Sequence, residues 1–113
     1  MVRIKIIRDD AKNIQCFEVS GHAGYSKHGE DIVCSAVSML TQTAVLGLKY
    51  VAQVKTQFKK IDKIGYLKCQ LPGELDDKQR VMATAILETM YLGLRNLELS
   101  YKKHIDIREN EEV

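Results

Sequence analysis

At 113 residues the chain has room for one domain that buries roughly 65% of the surface its unfolded form exposes. A hydrophobic fraction of 45%, a charged fraction of 28% and no Trp describe an ordinary globular protein with a mostly aliphatic core. A net charge of +2, spread along the chain, gives no electrostatic case for nucleic acid, and three cysteines at irregular spacing, Cys16, Cys34 and Cys69, give none for a disulfide framework or a zinc ribbon.

Val2, Ile4 and Ile6 alternate with Arg3 and Lys5, which predicts a strand over 2–7 and leaves no signal-peptide core. A polar turn through Asp9-Asp10 and Lys12-Asn13 leads to a second strand over about 14–19, so the two read as a hairpin. A glycine-rich loop follows, with Gly21, Gly24 and Gly29 within nine residues. Val33, Val37, Leu40, Ala44, Leu48 and Val51 then recur at helical spacing, so a helix is predicted from Asp31 to about residue 49 with Asp31 as its cap. No apolar run approaches ~18 residues, so no membrane span is expected.

Val51 to Gln57, rich in β-branched and polar residues, predicts a third strand. Lys59 to Lys63 reads as a basic turn and Gly65 to Leu71 as a fourth strand, stopped by Pro72-Gly73. A second helix is predicted from about Asp76 to Leu97, with Ala83, Ile86, Leu87, Met90, Leu94 and Leu97 on its buried stripe. Tyr101, Lys103, Ile105 and Ile107 read as a closing strand, and Glu109 to Val113 as an acidic end that frays. The order β-β-α-β-β-α-β predicts an α+β fold: a mostly antiparallel sheet with two helices on one face.

Candidate chemistry gathers between Ser20 and Ser38. Cys34 falls near the third helical position, where unpaired N–H groups and the helix dipole suit an anionic sulfur. His22, directly after a strand, is the candidate base, and together they make a nucleophile pair. His28, in the glycine-bounded loop, is the competing base; His104, on the last strand, is expected to face outward with Lys102 and Asp106. The N–H groups of Cys34 and Ser35 are candidate oxyanion donors. Asp31 is either a helix cap or a carboxylate orienting His22.

The loop Ala23 to Glu30 is a candidate lid over an extended peptide. Cys16 and Cys69, mid-strand with no His nearby, are assigned to packing, while Ser35, Ser38 and Thr41 read as ordinary helix residues. A phosphate loop needs Gly where Ser26 stands, and a dinucleotide motif needs Gly where Ala23 stands. Zinc held by His22, His28 and Cys34 is an alternative without a fourth protein ligand. A second alternative is a non-catalytic binding module with Cys34 simply buried.

Gly21-His22-Ala23, the twelve-residue step to the thiol, and Gly29-Glu30-Asp31-Ile32-Val33-Cys34-Ser35-Ala36-Val37-Ser38 make the chain resemble the bacterial ribosomal-processing cysteine proteases. The resemblance covers essentially the whole chain. It implies a single cysteine protease domain over 1–113 with His22 and Cys34 as the catalytic pair and Asp31 as a further site residue. It also implies an endopeptidase that removes the N-terminal extension of large-subunit ribosomal protein twenty-seven, and a homodimer. No cofactor, metal, membrane or direct nucleic-acid contact is expected, and the setting expected is the reducing cytoplasm. The alternative function is a ribosome-associated binding module.

Overall fold

The computed structural model describes residues 1–21 and 30–110, without the side chains of Glu30 and Asp31. Five strands and two long helices follow in the expected order: β1 (Val2–Arg8), β2 (Ile14–Ser20), α1 (Glu30–Tyr50), β3 (Gln57–Ile61), β4 (Tyr66–Gln70), α2 (Asp77–Ser100) and β5 (Ile105–Glu109). The sheet order is β3-β4-β2-β1-β5. Every neighbouring pair is antiparallel except β1 and β5, which run parallel, so the sheet is mixed but mostly antiparallel.

The β1–β2 hairpin is closed by Asp9, whose Oδ1 accepts from the Asn13 N–H at 2.9 Å, while Lys12 takes a left-handed φ of 68°. The register steps from Ile7↔Cys16 to Arg8↔Ile14, leaving Gln15 as an extra residue. That bulge shifts the alternation by one, which is how Ile14 and Phe17 both face the core. Gln15 stays tied down, its carbonyl accepting from the Leu71 N–H at 2.9 Å.

Val2, Ile4, Ile6, Phe17, Val19, Leu67, Cys69, Ile105 and Ile107 line one face of the sheet and are all buried. Both helices cover that face. Val33, Val37, Ala44 and Leu48 of α1 and Ala83, Leu87, Met90 and Leu94 of α2 complete the core. The helices also meet each other closely: a Cβ on Gly93 would lie 3.0 Å from the Leu40 side chain, and one on Gly47 3.3 Å from Ile86.

Three sequence expectations change. Val51 to Gln57 is not a strand. Past α1, Gln53 turns left-handed at φ 54° and the Val54 N–H reaches back to the Leu48 carbonyl at 2.8 Å. Ala52 and Val54 are buried because they close the end of the core. The third strand is instead Gln57–Ile61, an edge whose exposed residues carry no apolar alternation, followed by a 3-10 turn at Asp62–Ile64. The closing strand starts at Ile105, after a turn through residues 102–104.

α1 also differs from the membrane expectation. Its Ile32–Tyr50 segment is long and apolar enough by length and composition to cross a bilayer. Ser, Thr and Gln interrupt the run without adding charge, which is why a search for unbroken apolar residues passes over it. One side of that helix packs into the core through Val33, Val37, Thr41, Ala44 and Leu48.

The acidic end holds another correction. Glu109 is the last residue of β5 and accepts from Arg8 at 2.9 Å, Arg95 at 2.9 Å and the Tyr91 hydroxyl at 2.7 Å. The Tyr91 hydrogen bond, then those of Arg8 and Arg95, hold its carboxyl at about 2 against an ordinary 4.5. Residues 111–113 lie outside the described residues.

Candidate active site

The residue just past β2 admits no side chain. Gly21 has φ +103°, and a Cβ there would sit 2.2 Å from the Met1 carbonyl oxygen and 3.3 Å from the Val2 Cα. The end of β2 is thus pressed against the start of β1, and the chain leaves it at one fixed point. His22 is the next residue in sequence. It lies outside the described residues, as do His28 and the candidate lid up to Gly29; the Glu30 side chain is also outside them.

α1 begins at Glu30, one residue before the expected cap. Asp31 is therefore the second helical residue and Cys34 the fifth rather than the third. In the regular pattern each N–H points at the carbonyl four residues earlier, so the Cys34 and Ser35 amides are directed towards Glu30 and Asp31.

Cys34 is half-buried, not sealed in the core as the binding-module alternative requires. It lines a cleft of about 170 Å³ shared with Gly21, Val2, Val19, Val37, Ile61, Tyr66 and Leu67. The mostly apolar wall is drawn from β1, β2, β4, α1 and the end of β3. The volume is below the ~300–1,000 Å³ of pockets that swallow a whole small ligand. It suits one or two side chains of an extended peptide lying across the sulfur.

One wall is polar, and sequence reasoning missed it. Ser38 lies one helical turn after Cys34 and its hydroxyl accepts from the Gln42 amide. Gln42 in turn accepts from Lys60 Nζ at 3.4 Å, and Lys60 pairs with Asp62 at 3.1 Å. The spacing of 34, 38 and 42 was a usable signal for a shared helix face; Lys60, Asp62 and Tyr66 arrive only through sheet pairing. Thr41, by contrast, turns inward, buried, with its hydroxyl donating to the Val37 carbonyl at 2.8 Å.

Tyr66 donates to Glu18 at 2.8 Å. Burial first, and that hydrogen bond second, push its phenol up to about 12. It stays a neutral donor at any physiological pH.

The other cysteines are poor nucleophiles. Burial pushes the Cys69 thiol up to about 11. Cys16, on the sheet face away from the helices, is also raised, by burial and then by Glu18 against the opposing effect of Lys68. Cys69 is buried in the core, whereas Cys16 is only half-buried. His104 is half-buried in the turn before β5 rather than on the strand, and its carbonyl accepts from the Val2 N–H at 2.9 Å; it is not among the residues that line the cleft. Among the described residues no cluster of three His, Cys, Asp or Glu could hold a metal ion; two of the three zinc-alternative residues lie outside them.

The profile of the family described as cysteine protease Prp matches residues 1–106. The chain belongs to the Prp family of cysteine proteases. A ribosomal processing cysteine protease Prp from Bacillus subtilis (strain 168) is 30% identical over 110 residues, spanning 97% of this chain and 98% of that one. Among solved structures, the essential ribosomal processing protease Prp of S. aureus bound to a substrate peptide superposes with a TM-score of 0.87 at 22% identity, covering 97% of this chain and all of that one. SMU.848 from Streptococcus mutans superposes with a TM-score of 0.84 at 26% identity, covering 96% of each chain. Prp membership makes the chain a cysteine protease, and of its three cysteines Cys34 is the one that lines the apolar cleft.

Proposed function

We propose that this Prp protease cleaves the N-terminal extension of large-subunit ribosomal protein twenty-seven during ribosome maturation, with His22 and Cys34 as its catalytic pair. The observation that carries the reading is the cleft itself. Cys34 sits on it from α1, and Gly21, adjacent to His22 in sequence, sits on it just past the end of β2. The ribosomal substrate is supported by the processing role named for the B. subtilis relative.

In this scheme His22 takes the Cys34 proton and the sulfur attacks the scissile carbonyl carbon. The negative charge on the carbonyl oxygen develops in the positive field of the first turns of α1. The Cys34 and Ser35 amides contribute as second arms of shared hydrogen bonds, a form common at helix termini. The C–N bond breaks, His22 protonates the departing amine, and a thioester joins Cys34 to the substrate. Water, deprotonated by His22, then hydrolyses the thioester and restores the thiol. Asp31 serves as the carboxylate that orients the imidazolium. The setting is the reducing cytoplasm, where Cys16, Cys34 and Cys69 remain thiols.

The enzyme works as a homodimer joined through its helix layer. α1 carries no charged residue from Ile32 to Leu48, yet Ile32, Met39, Leu46 and Tyr50 are 49%, 67%, 55% and 67% exposed. Ile32, Met39 and Leu46 recur every seven residues, the spacing of a seam between two copies of one helix. An apolar groove lined by Thr43, Gly47, Ala85 and Thr89 lies beside that stripe.

The test is incubation with the ribosomal protein carrying its extension. Wild-type enzyme is expected to shorten it, and Cys34→Ala to lower the rate by about 10³-fold or more. Intact substrate with wild-type enzyme rejects the substrate; cleavage retained in Cys34→Ala rejects the mechanism. Iodoacetamide labelling of Cys34 against pH, compared with His22→Ala, reads the pair directly: the profile should change when the imidazole is removed, and an unchanged profile rejects His22 as base.

A further inference from the structure

Both helices cover one face of the sheet, and the opposite face carries an aligned row of charge. The register places Lys59 opposite Lys68, Lys68 opposite Glu18, Glu18 opposite Lys5, and Lys5 opposite Arg108. All five strands contribute one residue, and at roughly 4.8 Å per strand the row spans about 19 Å. Arg3 and Asp106 form a neighbouring pair on the same face. Among the described residues this face therefore sets five cations (Arg3, Lys5, Lys59, Lys68, Arg108) against two carboxylates.

Those two carboxylates are engaged with other members of the set. Glu18 lies 3.9 Å from Lys5 and accepts from Tyr66; Asp106 pairs with Arg108 at 2.9 Å. Lys59 and Lys68 face each other across the edge pair β3–β4, and like charges directly opposite cost stability. Exposed Lys55 and Lys63 flank the same edge. The weak net charge of the whole chain conceals this segregation.

We propose that the helix-free face of the sheet, through Lys59, Lys68, Lys5 and Arg108, docks on the phosphate backbone of RNA. The row, two cations on either side of Glu18, has no apolar member, whereas a protein partner's contact surface needs an apolar centre depleted of charge. A phosphate backbone matches a face with an excess of cations and needs no base contact. The choice of RNA as the polyanion rests on the ribosomal reading above. Docking would hold the protease beside its substrate while the cleft, on the other side of β2 and β4, stays open.

The test is fluorescence polarisation of a fluorescein-labelled RNA hairpin titrated with the full chain. With four phosphate contacts on the duplex stem, affinity should fall about 150-fold between roughly 50 and 200 mM salt. Lys59→Gln/Lys68→Gln should weaken binding at least tenfold at low salt and halve the salt slope. Neither lysine lines the cleft, so peptide cleavage should be unchanged, and loss of the like-charge pair should leave the melting temperature at or above that of the wild type. The proposal is overturned if the wild type does not bind the hairpin at low salt, if the double variant binds with the same affinity and slope, or if a polyglutamate peptide competes as well as unlabelled RNA. Cleavage of the ribosomal precursor is scored separately: its loss with RNA binding intact would count against the processing reading alone.

Discussion

Gly21 is the residue whose replacement has the plainest outcome. Its φ of +103° is costly for any L side chain, and a Cβ 2.2 Å from a backbone oxygen leaves no flexible neighbour to give way. Gly21→Ala is expected to destabilise the protein by more than about 2 kcal/mol, and to reduce peptide cleavage even where the fold survives. A denaturant melt together with a cleavage assay checks both. An unchanged melt would mean that β1 shifts freely, which its pairing on both sides opposes.

At the same scale, Glu109 sets a pH dependence. Its carboxyl titrates at about 2 in the fold and near 4.5 when unfolded. The stabilisation is therefore fully present above the unfolded value and is lost as pH falls through the folded one. Glu109→Gln should be less stable than the wild type at pH 7, with the gap closing between roughly pH 5 and pH 2. Melts of both proteins across that range measure it; a gap that persists at pH 2 would point to lost packing instead of lost charge.

Among the elements, α2 has the better-defined start. Asp76 accepts from the Gln79 N–H at 2.7 Å and Gln79 reaches back to the Asp76 N–H at 3.1 Å. Asp76→Ala removes the side-chain acceptor of this capping box, leaving the Gln79 N–H without it, and should cost about 1 kcal/mol without altering cleavage. The start of α2 was legible because the cap residue, the acidic first turn and the apolar stripe all agree. β1, β2 and α1 were legible for the same reason: one face of each is buried, so periodicity marks it.

β3 was not legible. It lies at an edge with both faces largely exposed, so nothing in its hydrophobic pattern records its pairing, while the β-branched stretch before it follows the end of α1 and buries only Ala52 and Val54. The site divides along the same line. Cys34 was found because its signal is local, a thiol at a helix start. The Ser38–Gln42–Lys60–Asp62 wall was not, because two of its members come from a strand end and turn that only the sheet brings near.

For the whole molecule, the two layers present opposite chemistry: an uncharged helix stripe on one side and a face with an excess of cations on the other. If two copies join through the stripe, both cationic faces point outward. Met39→Glu/Leu46→Glu should then convert a sedimenting dimer into a monomer without unfolding it, since both residues are exposed. A wild type that already sediments as a monomer at micromolar concentration would reject that interface.

The parallel pairing of β1 with β5 joins residues roughly 100 positions apart. A nascent chain cannot complete that pairing until residue 109 has cleared the exit tunnel, so until then one ladder of β1 backbone groups is left to water. Since β1 also supplies Val2 to the cleft and the carbonyl that abuts Gly21, the protease gains its working shape only after translation of its own last strand.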